Sequence, residues 1–117
     1  DDEYDYLGIV DPTRGLLTLN FVNKALPARL TTGIHLEGKE MDFEEERNFV
    51  ADSWIMPEDK ADFLKKSNLK KIVAEVKKNG KYIFYARALR DGIIHHKCFR
   101  YTYLDENEQL LLLSSGM

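Results

Sequence analysis

At Lys81 the apolar residues of this chain change their period, and that change constrains the fold more than any other feature of the sequence. Before it, Leu69, Ile72, Val73 and Val76 recur at the spacing of one helix face. Lys77 and Lys78 suit a helix C-terminus, and Asn79-Gly80 ends the pattern. After it, "KYIFYARAL", "IIHHKCFRYTYL" and "LLLLSSG" read as strands, separated by the short turns "RDG" and "DENEQ". Links this short join antiparallel neighbours, so the last third of the chain reads as a three-stranded meander.

The chain also opens on strands. "YLGIVD" and "LLTLNFV" flank a turn that holds Pro12 and Gly15, which reads as a hairpin. In "NKALPARLTTG", Asn23 is a good N-cap, while Pro27 and Gly33 allow only a short helix. "GIHLEGKEM" is rich in turn formers and indicates no element. In "DFEEERNFVADSW", Asp42 is the expected N-cap with Glu45 three residues on. Glu44, Glu45 and Glu46 lie in the first turn, and Phe43, Val50 and Trp54 share one helix face. In "WIMPEDKADFLKK", Pro57 suits the first helical position, and Phe63 and Leu64 supply the apolar contact. The expected fold class is therefore α+β: a five-stranded antiparallel sheet with short helices packed on one face, in the order β-β-α-α-α-α-β-β-β.

A length of 117 residues suits a single domain spanning residues 1–117 with one core. Its formal net charge of −3 counts against nucleic acid as a partner. Cys98 is the single cysteine, so no intrachain disulfide forms, which suits a reducing, cytoplasmic setting. No apolar run approaches the roughly 18 residues of a membrane span, so no direct membrane contact is expected. The start at Asp1 without a methionine, and the stop just after Leu110 to Leu113, read as a domain excised from a longer multidomain chain.

The titratable residues give little sign of an enzyme. Glu58 and Asp59 are adjacent, and neighbours on a helix diverge too far to converge on one substrate. A helix start explains both acids and the proline. His95 and His96 are neighbours on a strand and point to opposite faces, so they do not chelate one ion, and His35 lies apart from both. Cys98 in a strand reads as a small apolar filler. The lysines at 65, 66, 70, 71, 77 and 78 make a basic helical surface, read as a solvated face. In the long strand, Lys97, Phe99, Tyr101 and Tyr103 share one face, while His96, Cys98, Arg100, Thr102 and Leu104 share the other. Both faces hold bulky groups, so one is expected to pack the helices and the other to be partly covered by a partner, a flanking helix or a second copy.

Several stretches together resemble the Per-ARNT-Sim (PAS) sensor domains. "GLLTLNFVNKAL" followed by "LTTG" is similar to the family's second strand, Asn-led first helix and following glycine. "WIMPEDKADFL" is similar to its proline-glutamate-aspartate segment, with Met56 where a histidine is common. "YIFYARALRDG" and "YTYLDENEQLLLLSSG" resemble its last three strands. The resemblance covers nearly the whole chain except residues 34–41. It implies a non-enzymatic, cytoplasmic sensory module of a bacterial signalling protein. Such a module binds a small ligand, dimerises, or does both, to control a covalently linked GGDEF-type diguanylate cyclase or a histidine kinase of a two-component system. Trp54, Phe63, Phe84, Arg87 and Cys98 are then the candidates for lining the space between sheet and helices, with Arg87 suited to a ligand carboxylate or phosphate. The cofactor stays unknown, because neither haem, flavin nor metal has a supporting pattern: flavin photochemistry needs its cysteine on a helix, and the sole haem candidate is His35. The alternatives are a ligand-free protein–protein interaction domain and, third, a small α+β-roll isomerase or dehydratase.

Overall fold

A computed structural model describes residues 4–22 and 38–116. The expected Asn23-led helix and His35 fall outside the described residues. The elements are β1 (Tyr4–Asp11), β2 (Leu16–Val22), β3 (Glu40–Asp42), α1 (Phe43–Ser53), α2 (Pro57–Lys66), α3 (Leu69–Asn79), β4 (Lys81–Arg90), β5 (Ile93–Asp105) and β6 (Leu110–Gly116). All strands join one antiparallel sheet in the order β3-β2-β1-β6-β5-β4. The class is α+β, as the pattern predicts, but among the described residues there are six strands rather than five, and three helices.

The additional strand, β3, comes from the stretch in which turn formers masked it. Gly38 turns the chain at a φ of 79°, and its N–H bonds the Leu19 carbonyl at 2.7 Å. Glu40 to Asp42 then pair with Thr18 to Leu16. A bidentate contact of Arg14 with Glu40, at 2.8 and 3.2 Å, ties this strand to the β1–β2 turn.

Local chemistry sets the helix boundaries. The Asp42 carboxylate accepts from the Glu45 N–H at 2.9 Å and caps α1. Asn68 caps α3 in the same way through Lys71 N–H at 3.2 Å, and Gly80 ends that helix in the left-handed conformation at φ 81°. Pro57 begins α2 without any side-chain cap. The C-terminal carbonyls of α2 are instead served by a cation: Arg47 of α1 donates to the Leu64 and Ser67 carbonyls at 3.1 and 3.3 Å. The Asp91-Gly92 turn between β4 and β5 has both residues at positive φ, 52° and 76°, which matches the twist of the flanking strands.

The helices cover one face of the sheet. Val10, Leu17, Leu19, Phe84, Phe99, Tyr101, Leu111 and Leu113 meet Phe43, Val50, Trp54, Phe63, Ile72 and Val76 in one buried cluster. Phe84 and Phe99 are a directly opposed cross-strand pair, stacked at 5.3 Å, and Phe63 of α2 lies 5.1 Å from the Phe99 ring. The opposite face carries no element among the described residues. Ile83, Tyr85, Leu89, Ile94 and Leu104 stand there, with Tyr85 60% exposed.

Candidate functional site

The five residues expected to line the interior divide into two groups. Trp54, Phe63 and Phe84 are buried between helices and sheet. Arg87 and Cys98 lie on the strand positions that alternate away from that core: Cys98 opposes the exposed Tyr85, and Arg87 opposes His96. Among the described residues, the cavity beside Phe63, lined also by Tyr6, Leu19, Phe43, Glu46 and Tyr101, has a volume of about 20 Å³, room for roughly one water molecule.

Glu46 of α1 borders that cavity. Its Oε2 atom is buried without a hydrogen-bond partner. Burial, helped by the neighbouring charge of Glu45, pushes its carboxyl up to about 7.

A larger space lies at the end of the sheet where α1 and α3 begin. This cleft of about 780 Å³ is lined, among the described residues, by Phe43, Leu69, Val73, Ala74, Tyr103 and Leu111, with Asp42, Glu44, Arg47, Asn68, Lys70 and Lys77 on its polar side. Its size and apolar lining are those of a small-molecule site. It lies away from Trp54 and Phe84, the aromatic candidates, and the sequence held no signal for it: Pro12, Gly15 and Gln109 reach it from two different turns.

The stretch from Trp54 to Asp59 closes the free edge of β4. Ile55 makes a β-bridge to Ala88; Leu89 N–H donates to the Trp54 carbonyl at 3.1 Å, and Met56 N–H to the Arg87 carbonyl at 2.9 Å. Asp59 completes the closure by taking the Arg87 backbone N–H at 2.8 Å and its guanidinium at 3.0 and 2.7 Å. These bonds hold the Asp59 carboxyl down at about 2, and the Arg87 guanidinium is raised by the same contact. The acid of the proline-led helix start is thus an edge clasp that keeps another chain from adding to β4.

The most unusual group is Lys97, whose side chain has no exposed surface. Its ammonium is held by Asp5, which also takes Arg90 Nη2 at 3.1 Å. Trp54, Tyr6 and Phe99 surround it with ring centroids at 4.4, 5.5 and 5.7 Å. Burial pulls the Lys97 amine down to about 8, against the raising influence of Asp5. Alternation places Lys97 on the inward face with Phe99 and Tyr101. What alternation does not reveal is Asp5, which a β-bulge between Tyr4 and Tyr6 brings to that face.

Among the described residues no three His, Cys, Asp or Glu side chains come together to hold a metal. His95 opposes Ala88 and His96 opposes Arg87, on the two faces of β5. No helix among the described residues is long and apolar enough to cross a membrane. Comparison of the chain with protein-family models, with curated proteins and with solved structures gives no match in any of the three.

Proposed function

We propose that this chain is a cytoplasmic regulatory module of the PAS kind, which acts by dimerising to control a linked output domain such as a diguanylate cyclase or histidine kinase. The single observation that carries this reading is the uncovered face of the sheet. Ile83, Tyr85, Leu89 and Ile94 are 38%, 60%, 51% and 50% exposed there, on two neighbouring strands. An apolar patch of this kind marks an interaction site. The small volume of the cavity beside Phe63 among the described residues favours contact between copies over a ligand held there. The α+β class, with three strands, three helices and three meandering strands among the described residues, is compatible with the family resemblance.

The cleft beside α3 favours a second reading, in which the module also binds a small molecule. Arg47, Lys70 and Lys77 beside Asp42 and Glu44 suit an amphipathic ligand carrying both an anionic and a cationic group. Native mass spectrometry of the gently purified protein tests both. A dimer supports the principal reading, and a bound small molecule that is lost in Ala74→Trp supports the second. A monomer without adduct contradicts both. The isomerase or dehydratase alternative needs a polar pair that converges in a pocket.

A further inference from the structure

The Asp5–Lys97–Arg90 cluster has no part in that reading, yet its position is specific. Asp5 belongs to β1, Lys97 to β5 and Arg90 to β4, and β6 lies between β1 and β5. The Asp5 carboxylate therefore reaches across a whole strand, passing where the buried Ser115 opposes Tyr6 and Phe99. Tyr4 pairs with Gly116, so the start of β1 and the end of β6 are neighbours. One side chain thus ties the place where the chain enters and leaves the sheet to the β4–β5 hairpin.

Two consecutive buried side chains make this reach possible. The register shift between Tyr4 and Tyr6 leaves Asp5 and Tyr6 both buried, 4% and 4% exposed. Among the described residues, the charged and titratable groups around Lys97 are Asp5 and Tyr6 from β1, Arg90 from β4, and Cys98 of its own strand. His95 stands two positions back on the same face. Trp54 and Phe99 close the site with rings.

The arrangement opposes two effects. Removing one partner leaves an uncompensated charge in the interior, which is strongly unfavourable. Replacing the pair by apolar groups removes the desolvation penalty of both, which is often favourable. Any opening that returns Lys97 and Asp5 to water also relieves that penalty. Asp5 lies at the start of β1, whose Tyr4 pairs with Gly116 at the end of β6, so these two ends are the segments its ion pair holds.

We propose that the Asp5–Lys97–Arg90 cluster is a charge-loaded catch that holds the start of β1 and the end of β6 on the sheet against the standing penalty of a buried ammonium. Loss of one charge partner releases these two segments; loss of the charge itself tightens them. The catch is independent of dimerisation and of any ligand in the cleft.

Amide hydrogen exchange on the whole chain tests it. Asp5→Asn is expected to speed exchange of Tyr4–Tyr6 and Ser114–Gly116 by about tenfold or more, with the amides of Phe84 and Phe99 changing by less than about twofold. The double variant D5L/K97M is expected to exchange more slowly at those segments than the wild type. If Asp5→Asn does not fold, the double variant decides. Changes spread evenly over the sheet, or a double variant no better protected than the wild type, would each overturn the proposal.

Discussion

Asp59 in the first turn of α2 holds Arg87 of the edge strand β4 by three hydrogen bonds, one from its backbone N–H at 2.8 Å and two from its guanidinium at 3.0 and 2.7 Å. One carboxylate thus docks a helix start and satisfies a sheet edge, two tasks that bring opposite ends of the secondary-structure repertoire together.

This contact makes stability acid-sensitive. The Asp59 carboxyl is held at about 2 against an ordinary 3.8, so its stabilising effect is fully present above about 4 and is lost as pH falls toward 2. Asp59→Asn is expected to flatten that part of the stability-against-pH curve measured by urea denaturation. A variant curve parallel to that of the wild type would remove Asp59 as the cause.

Glu46 acts in the opposite direction. Its carboxyl is raised to about 7 from 4.5, so the neutral form suits the folded state: its contribution is fully present below about 4.5 and is lost as pH rises through 7. Glu46→Gln keeps a neutral side chain at every pH and is expected to abolish this decline while leaving stability at pH 4.5 nearly unchanged. Thermal denaturation at several pH values checks it.

Lys97 and Asp5 are expected to be strongly non-additive. Lys97→Met alone leaves Asp5 buried with only Arg90, at an expected loss of about 3 kcal/mol, whereas D5L/K97M is expected to be as stable as the wild type or more so. Denaturant titration of the two single variants and the double variant gives the coupling energy. Additive losses would mean that the two residues do not act as a pair.

Phe63 is the keystone of the aromatic layer, 6.1 and 5.1 Å from the Phe84 and Phe99 rings and 2% exposed. Phe63→Ala is expected to cost about 3–5 kcal/mol, because the rings around it are fixed by strand pairing and cannot collapse into the void. A loss below about 1 kcal/mol would show that the layer rearranges.

Much of this fold was legible in the sequence because short-range rules set it. The period switch at Lys81, the Asp-Gly turn at 91–92, and the helix ends at Asp42 and Gly80 each report one local geometry, and each element they mark is present. Strand β3 was not legible, because three residues carry too little periodicity, and its reason for being is a partner strand 24 residues earlier, as in Leu17 facing Met41. The site was less legible still. Alternation alone separates Phe84 from Arg87 and Cys98, yet resemblance grouped all three in one lining. The reach of Asp5 across β6 depends on a bulge, and the clasp of Asp59 on Arg87 joins residues 28 apart; neither has a local signature.

The most direct test of the central claim, that the uncovered sheet face joins two copies of this chain, is light scattering on the wild type and on the double variant I83D/Y85D. Both positions lie on the exposed face of β4, away from the core, so the variant is expected to keep its fold. The account predicts a wild-type dimer at micromolar concentration and a folded monomer for the variant. A wild-type monomer, or a dimer that survives both substitutions, would contradict it.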